Sequence, residues 1–177
     1  NRGTFGGSIA LADPAAELPA CMCALEATIE VVGNGGTREI VAKDFFKGLY
    51  ETELENGEIV TAVAVPIVTP KTIIAFDELS RRHGDYAMAG LAVSAKMDDK
   101  KIETINICFF AISGKPILAE GAAKILNNGL IDDNSLKKAL EQLEHDLDPL
   151  PDLYASSALK MHYSKELFKR NLEKWIS

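Results

Sequence analysis

The chain has 177 residues, 47% hydrophobic and 25% charged, enough to bury the cores of one or two folded units. A formal charge of −7, a pI near 5.0 and the lack of any Lys/Arg cluster interleaved with aromatics argue against a nucleic-acid partner. No apolar run reaches the ~18 residues of a membrane span, no leader pattern opens the chain, and an odd number of cysteines suits a reducing cytoplasm better than a disulfide framework.

Asn1-Arg2-Gly3 lacks an initiator Met, so the chain reads as a fragment or a processed product. Thr4-Phe5-Gly6-Gly7-Ser8 follows at once, and its glycines predict a tight loop able to turn several N–H groups toward one ligand. Asp13-Pro14 carries a helix-start signature, with Asp as N-cap and Pro at the first helical position, ahead of the apolar stretch Leu18 to Leu25. Residues 28–32 and 38–41 are β-rich runs around Gly33-Asn34-Gly35-Gly36, which predicts a hairpin. Phe45 and Phe46 fall in a short turn or helix, and Ile59 to Val65 is a strand closed by Pro66.

Beyond a boundary near Val68, residues 72–79, 90–97 and 102–112 read as three consecutive antiparallel strands, with Asp98-Asp99-Lys100-Lys101 as a polar turn. In the last of them Ile105, Ile107 and Phe109 alternate with Thr104, Asn106 and Cys108, the period of a strand with one buried face. Helices are expected from Ile117 to Leu126, from Asp132-Asp133 through Leu136, Leu140, Leu143 and Leu147 up to Pro149, and from Ser156 to Trp175. The last helix turns Leu167, Phe168, Leu172 and Trp175 toward the sheet. Strands followed by helices without alternation make an α+β unit.

On local evidence Thr-x-Gly-Gly-Ser is either a conformational turn or one side of a diphosphate site, where backbone N–H groups and the Thr4 and Ser8 hydroxyls converge. Cys21-x-Cys23 has no second thiol pair or neighbouring His to complete a metal site, and His83, His145 and His162 share no ligand spacing. Ser80-Arg81-Arg82-His83-Gly84-Asp85-Tyr86-Ala87 lies between two expected strands, where charge is either solvated surface or part of a site. Glu58-Ile59-Val60-Thr61-Ala62-Val63-Ala64-Val65-Pro66 is an apolar strand whose residues default to core.

Taken together, the string from Asn1 to Ala20, the Arg82 to Ala87 segment and the Glu58 to Pro66 strand resemble the FAD-binding subunit of molybdenum hydroxylases, the group that includes carbon monoxide dehydrogenase and xanthine dehydrogenase. The resemblance implies the second lobe of a PCMH-type FAD-binding fold over 1–68, then a C-terminal domain over 69–177 with a three-stranded antiparallel sheet packed on helices. It implies diphosphate contacts from Thr4, Phe5, Gly6, Gly7 and Ser8, and an acidic contribution from Glu17, whose other reading is a solvated helix carboxylate. Asp13 has the same two readings, with capping favoured. Ile59 and Val60 would lie near the adenine.

Tyr86 would stack beside the isoalloxazine as the residue closest to the chemistry, Asp85 would order its loop, and Arg81 or Arg82 would stabilise charge on the reduced ring. Family members also carry an earlier Ala-Gly-Gly-type loop on a preceding lobe, which nothing in this sequence matches.

The implied activity is electron relay by an oxidoreductase component. Electrons would arrive from a molybdopterin-binding large subunit by way of 2Fe-2S centres on a small subunit, and leave through FAD to NAD, oxygen or a quinone. The molybdenum cofactor and the iron-sulfur centres would sit on those partners in a three-subunit, cytoplasmic complex without a membrane span. The competing class is a non-catalytic docking module of such a complex that holds no flavin.

Overall fold

A computed structural model of the chain describes residues 3–82 and 84–176. Residues Phe5–Leu11 form helix α1, where the glycines of the opening motif predicted a loop. Two interactions overcome glycine's poor helix propensity. The Thr4 hydroxyl accepts a hydrogen bond from the Gly7 N–H at 3.0 Å, and Ile9 is wholly buried. Helix α2 runs Glu17–Ala24 and starts later than Asp13-Pro14 suggests. Asp13 closes a turn of its own, its carboxylate taking the Ala15 N–H and its carbonyl the Ala16 N–H, so α2 opens at an uncapped Ala16. Pro19 then occupies the first turn, where its missing N–H costs no helical bond.

Strands β1 (Thr28–Gly33) and β2 (Gly36–Val41) form the expected hairpin about Asn34-Gly35. Helix α3 (Ala42–Phe45) leads into β3 (Phe46–Gly48), which pairs with β4 (Glu51–Thr52). Strand β5 (Ile59–Ala64) joins the other side of β1, giving a three-stranded sheet in the order β2-β1-β5.

Just before β5, the Glu58 carboxylate takes both forks of Arg38, each at 2.7 Å, and also the Glu55 N–H. Those hydrogen bonds, the guanidinium's first, hold the Glu58 carboxyl down to about 2. A carboxyl lowered on folding contributes stability above its ordinary value of 4.5 and loses it as pH falls toward 2. Urea midpoints should therefore decline over that interval, and Glu58→Gln should flatten that part of the acid limb. An acid limb identical to the wild type's would show the pair to be solvated.

Strands β6 (Thr72–Ser80), β7 (Ala87–Asp98) and β8 (Lys101–Phe110) build the expected antiparallel sheet. Two short strands extend it at β8: β9 (Ile117–Leu118), before helix α4 (Glu120–Leu126), and β10 (Gly129–Leu130). Ile117 and Leu118, expected to begin a helix, instead pair with Phe109 and Cys108, because the end of β8 offers unpaired backbone groups. Helix α5 (Asp133–Asp146) starts from a capping box between Asp132 and Ser135, and α6 (Ser157–Ile176) is the last described element.

Strands β7 and β8 of this sheet are covered on both faces. Leu91, Val93, Ile105, Ile107 and Phe109 point toward α4, α5 and α6, where Leu143, Leu167, Phe168 and Leu172 meet them. The opposite face carries Ala92, Cys108 and Phe110 against α2 and the first sheet. Cys108, expected on the solvated side of its strand, is thus fully buried.

Candidate functional site

The first four N–H groups of a helix lack intrahelical partners. In α1 the Ser8 N–H bonds back to the Thr4 carbonyl at 3.0 Å, and Thr4 Oγ1 takes that of Gly7, which leaves the N–H groups of Phe5 and Gly6 directed out of the helix end. The two glycines differ. A Cβ on Gly7 would stand 2.8 Å from Thr4 Oγ1, so the cap itself excludes a side chain there. A Cβ on Gly6 would meet nothing within 4 Å. Nothing in the described chain requires glycine at that position.

Helix α1 packs on β5, the strand that carries the second predicted contact. Ile59 is 64% exposed and offers an apolar surface, whereas Val60 packs into the core with α2 and β1. Glu17 is the first residue of α2 and lies near Glu78 of β6. Burial, joined by the Glu17 and Asp77 carboxylates, pushes the Glu78 carboxyl up.

Asp85 ties together the described residues between β6 and β7. Its carboxylate accepts the Tyr86 N–H at 3.0 Å and the Arg81 guanidinium at 3.1 Å, with Arg82 at 3.5 Å. These contacts, the Tyr86 N–H first, lower the carboxyl below its usual range despite burial. Arg82 points to solvent, whereas the Arg81 guanidinium lies 3.9 Å from the centre of the Tyr154 ring. Tyr86 is 70% exposed. His83 lies outside the described residues.

Arg81, Asp85 and Tyr86 form one wall of a cavity of about 370 Å³. Pro14 and Ala15, from the link between α1 and α2, make a second wall, and Asp152, Tyr154 and Lys160 make a third. The third wall did not emerge from sequence reasoning. Its one legible signal is Lys160, which precedes Ser164, Leu167 and Phe168 at helical spacing and so falls on the buried face of α6.

Cys23 and Cys108 are buried, and burial, then the Glu17 charge, pushes the Cys21 thiol up to about 11, which favours the protonated thiol. Among the described residues no three His, Cys, Asp or Glu side chains gather as a metal site, and no helix is long and apolar enough to cross a membrane.

Two sequence families match this chain. "FAD binding domain in molybdopterin dehydrogenase" matches residues 1–68, and "CO dehydrogenase flavoprotein C-terminal domain" matches residues 74–175. The glyceraldehyde dehydrogenase medium chain of Sulfolobus acidocaldarius is 34% identical over 96% of the chain and 58% of the relative. The carbon monoxide dehydrogenase medium chain of Afipia carboxidovorans is 33% identical over 97% and 60%. Among solved structures, quinoline 2-oxidoreductase from Pseudomonas putida superposes with a TM-score of 0.88 at 35% identity, over 99% of this chain and 61% of that one. Carbon monoxide dehydrogenase from Hydrogenophaga pseudoflava gives 0.92 at 31%, over 96% and 59%. The chain spans about 60% of the length of these relatives.

Proposed function

This chain belongs to the FAD-binding medium-chain family of the carbon monoxide and molybdopterin dehydrogenases, and from that premise we propose that it is the flavin-carrying electron-transfer part of a molybdopterin-dependent hydroxylase or dehydrogenase. Its electrons come from 2Fe-2S centres on a small subunit, fed by a molybdopterin-binding large subunit, and leave for an external acceptor such as NAD, oxygen or a quinone. Residues 1–68 serve as a partial FAD-binding unit and 69–177 as the C-terminal domain of the flavoprotein, in a cytoplasmic complex.

The observation that carries the reading is the open backbone at Gly6. In a helix, glycine is a cost unless something must approach the main chain closely. The exposed end of α1, with the Phe5 and Gly6 N–H groups and the Thr4 and Ser8 hydroxyls, fits a diphosphate. Ile59 supplies an apolar surface for the adenine end, and the cavity beside Tyr86 takes the ring. Bound FAD supplies the capacity to take up electrons singly and release them in pairs. Asp85 anchors Tyr86 through the Tyr86 N–H, and Arg81 rather than Arg82 puts its cation at the cavity wall.

Absorbance tests this reading directly. The natural full-length protein should be yellow, with bands near ~450 nm from the bound cofactor. A folded, colourless protein that resists titration with FAD would leave the docking role instead. In the flavin-loaded protein, Tyr86→Ala should change the reoxidation rate several-fold. It should shift stability by less than about 0.5 kcal/mol, because an exposed side chain contributes little to packing. Reoxidation at the wild-type rate would remove Tyr86 from the site.

A further inference from the structure

Lysine is rarely buried without a partner, because its ammonium loses hydration that only close acceptors replace. The Lys160 side chain is 6% exposed and its partners are well defined. Nζ donates to the Ala111 carbonyl at 2.8 Å and pairs with Asp152 Oδ2 at 2.8 Å. Both anchors are themselves held. Ala111 sits in the left-handed region at φ 61° and donates its N–H to the Pro14 carbonyl at 2.8 Å. Asp152 accepts the N–H groups of Tyr154 and Ala155, at 2.7 and 2.9 Å. Burial raises the Asp152 carboxyl, but the hydrogen bonds from Lys160 and those two N–H groups bring it below its ordinary value, so it stays charged.

An ammonium has three N–H donors, and these contacts use two. The third belongs to a group that lines the cavity shared with Arg81, Asp85 and Tyr86. The charges around that cavity cancel in pairs, Arg81 with Asp85 and Lys160 with Asp152. A space of about 370 Å³ with paired charges and Tyr86 at its wall suits a flat, uncharged, acceptor-bearing ring system better than a phosphate.

We infer that Lys160 is a further flavin-binding residue, which donates its third N–H to a carbonyl or ring-nitrogen acceptor of the isoalloxazine in this cavity. The inference rests on the flavoprotein reading above. ADP separates the two, because it shares the diphosphate and adenosine of FAD but lacks the ring.

The test is calorimetric titration of the flavin-free natural protein with FAD and with ADP. Lys160→Met should weaken FAD by about tenfold or more, the scale of one buried charge-assisted hydrogen bond, and leave ADP within about twofold. Lys160→Arg, which keeps the cation and its donors, should recover most of the FAD affinity. Equal losses for FAD and ADP would make Lys160 a merely structural residue and overturn the inference, as would wild-type FAD affinity in a folded Lys160→Met protein. Wild-type protein that binds ADP but gains nothing from the ring would overturn the inference alone. Wild-type protein that binds neither would overturn the flavoprotein reading along with it. Should Lys160→Met fail to fold, Lys160→Gln keeps a donor for Ala111, lacks the third N–H, and reports the same FAD-to-ADP ratio.

Discussion

Gly90→Val is expected to destabilise the chain by about 3 kcal/mol or more, a large fraction of the ~5–15 kcal/mol that holds an ordinary domain together. Gly90 of β7 is the register partner of Phe110 on β8, and the Phe110 ring lies over it. A Cβ built at Gly90 would stand 2.0 Å from Phe110 Cζ and 2.1 Å from Cε1. The ring has little freedom to yield. Phe110 is wholly buried in the core beneath α2, and its outer face is stacked on Phe76, with centroids 5.8 Å apart and planes at 19°. Phe110→Ala should cost a comparable ~3–5 kcal/mol through the cavity it leaves.

The two positions form one packing unit, so their effects should not add. Gly90→Ala combined with Phe110→Leu should be less destabilised than the sum of the single changes by about 1 kcal/mol, because the smaller partner makes room for the new methyl. Urea midpoints of the four proteins test this. A Gly90→Val midpoint equal to that of the wild type would mean that Phe110 turns aside freely, and that this sheet face is far looser than its burial indicates.

Much of the fold was legible because local chemistry and tertiary packing agree there. Asn34-Gly35 between β-branched runs gives the hairpin, and leucines at helical spacing give α5 and α6. Where the two disagree, the sequence misleads. Gly6-Gly7 reads as loop by propensity, yet Thr4 caps the segment and Ile9 anchors it, so it is helical. Asp13-Pro14 has the residues of a helix start but spends them on a turn. Ile117 and Leu118 form a strand because β8 has backbone groups to offer, which no local window reveals.

The candidate site divides the same way. Arg81, Asp85 and Tyr86 are close in sequence and could be read as one segment. Tyr154 and Lys160 reach the same cavity from the far end of the chain, and only the packing of α6 on the sheet brings them there.

Gly6→Asp should separate folding from function. The substitution replaces glycine by a residue with better helix propensity, and a carboxylate in the first turn of α1 interacts favourably with the unsatisfied N–H groups. The side chain enters open space, with nothing within 4 Å of its Cβ. Thermal stability should therefore stay level or rise, by up to about 0.5–1 kcal/mol. FAD binding should move the opposite way. The new carboxylate occupies the donors offered to the diphosphate and repels it, and a combined loss of ~3 kcal/mol corresponds to about a hundredfold in affinity. Gly7→Ala should behave otherwise, because its Cβ meets the capping hydroxyl of Thr4, so helix stability and binding fall together. Calorimetric FAD titration beside thermal melts distinguishes the two. If Gly6→Asp melts like the wild type and binds FAD equally well, the diphosphate does not sit at this helix end, and the open glycine needs another explanation.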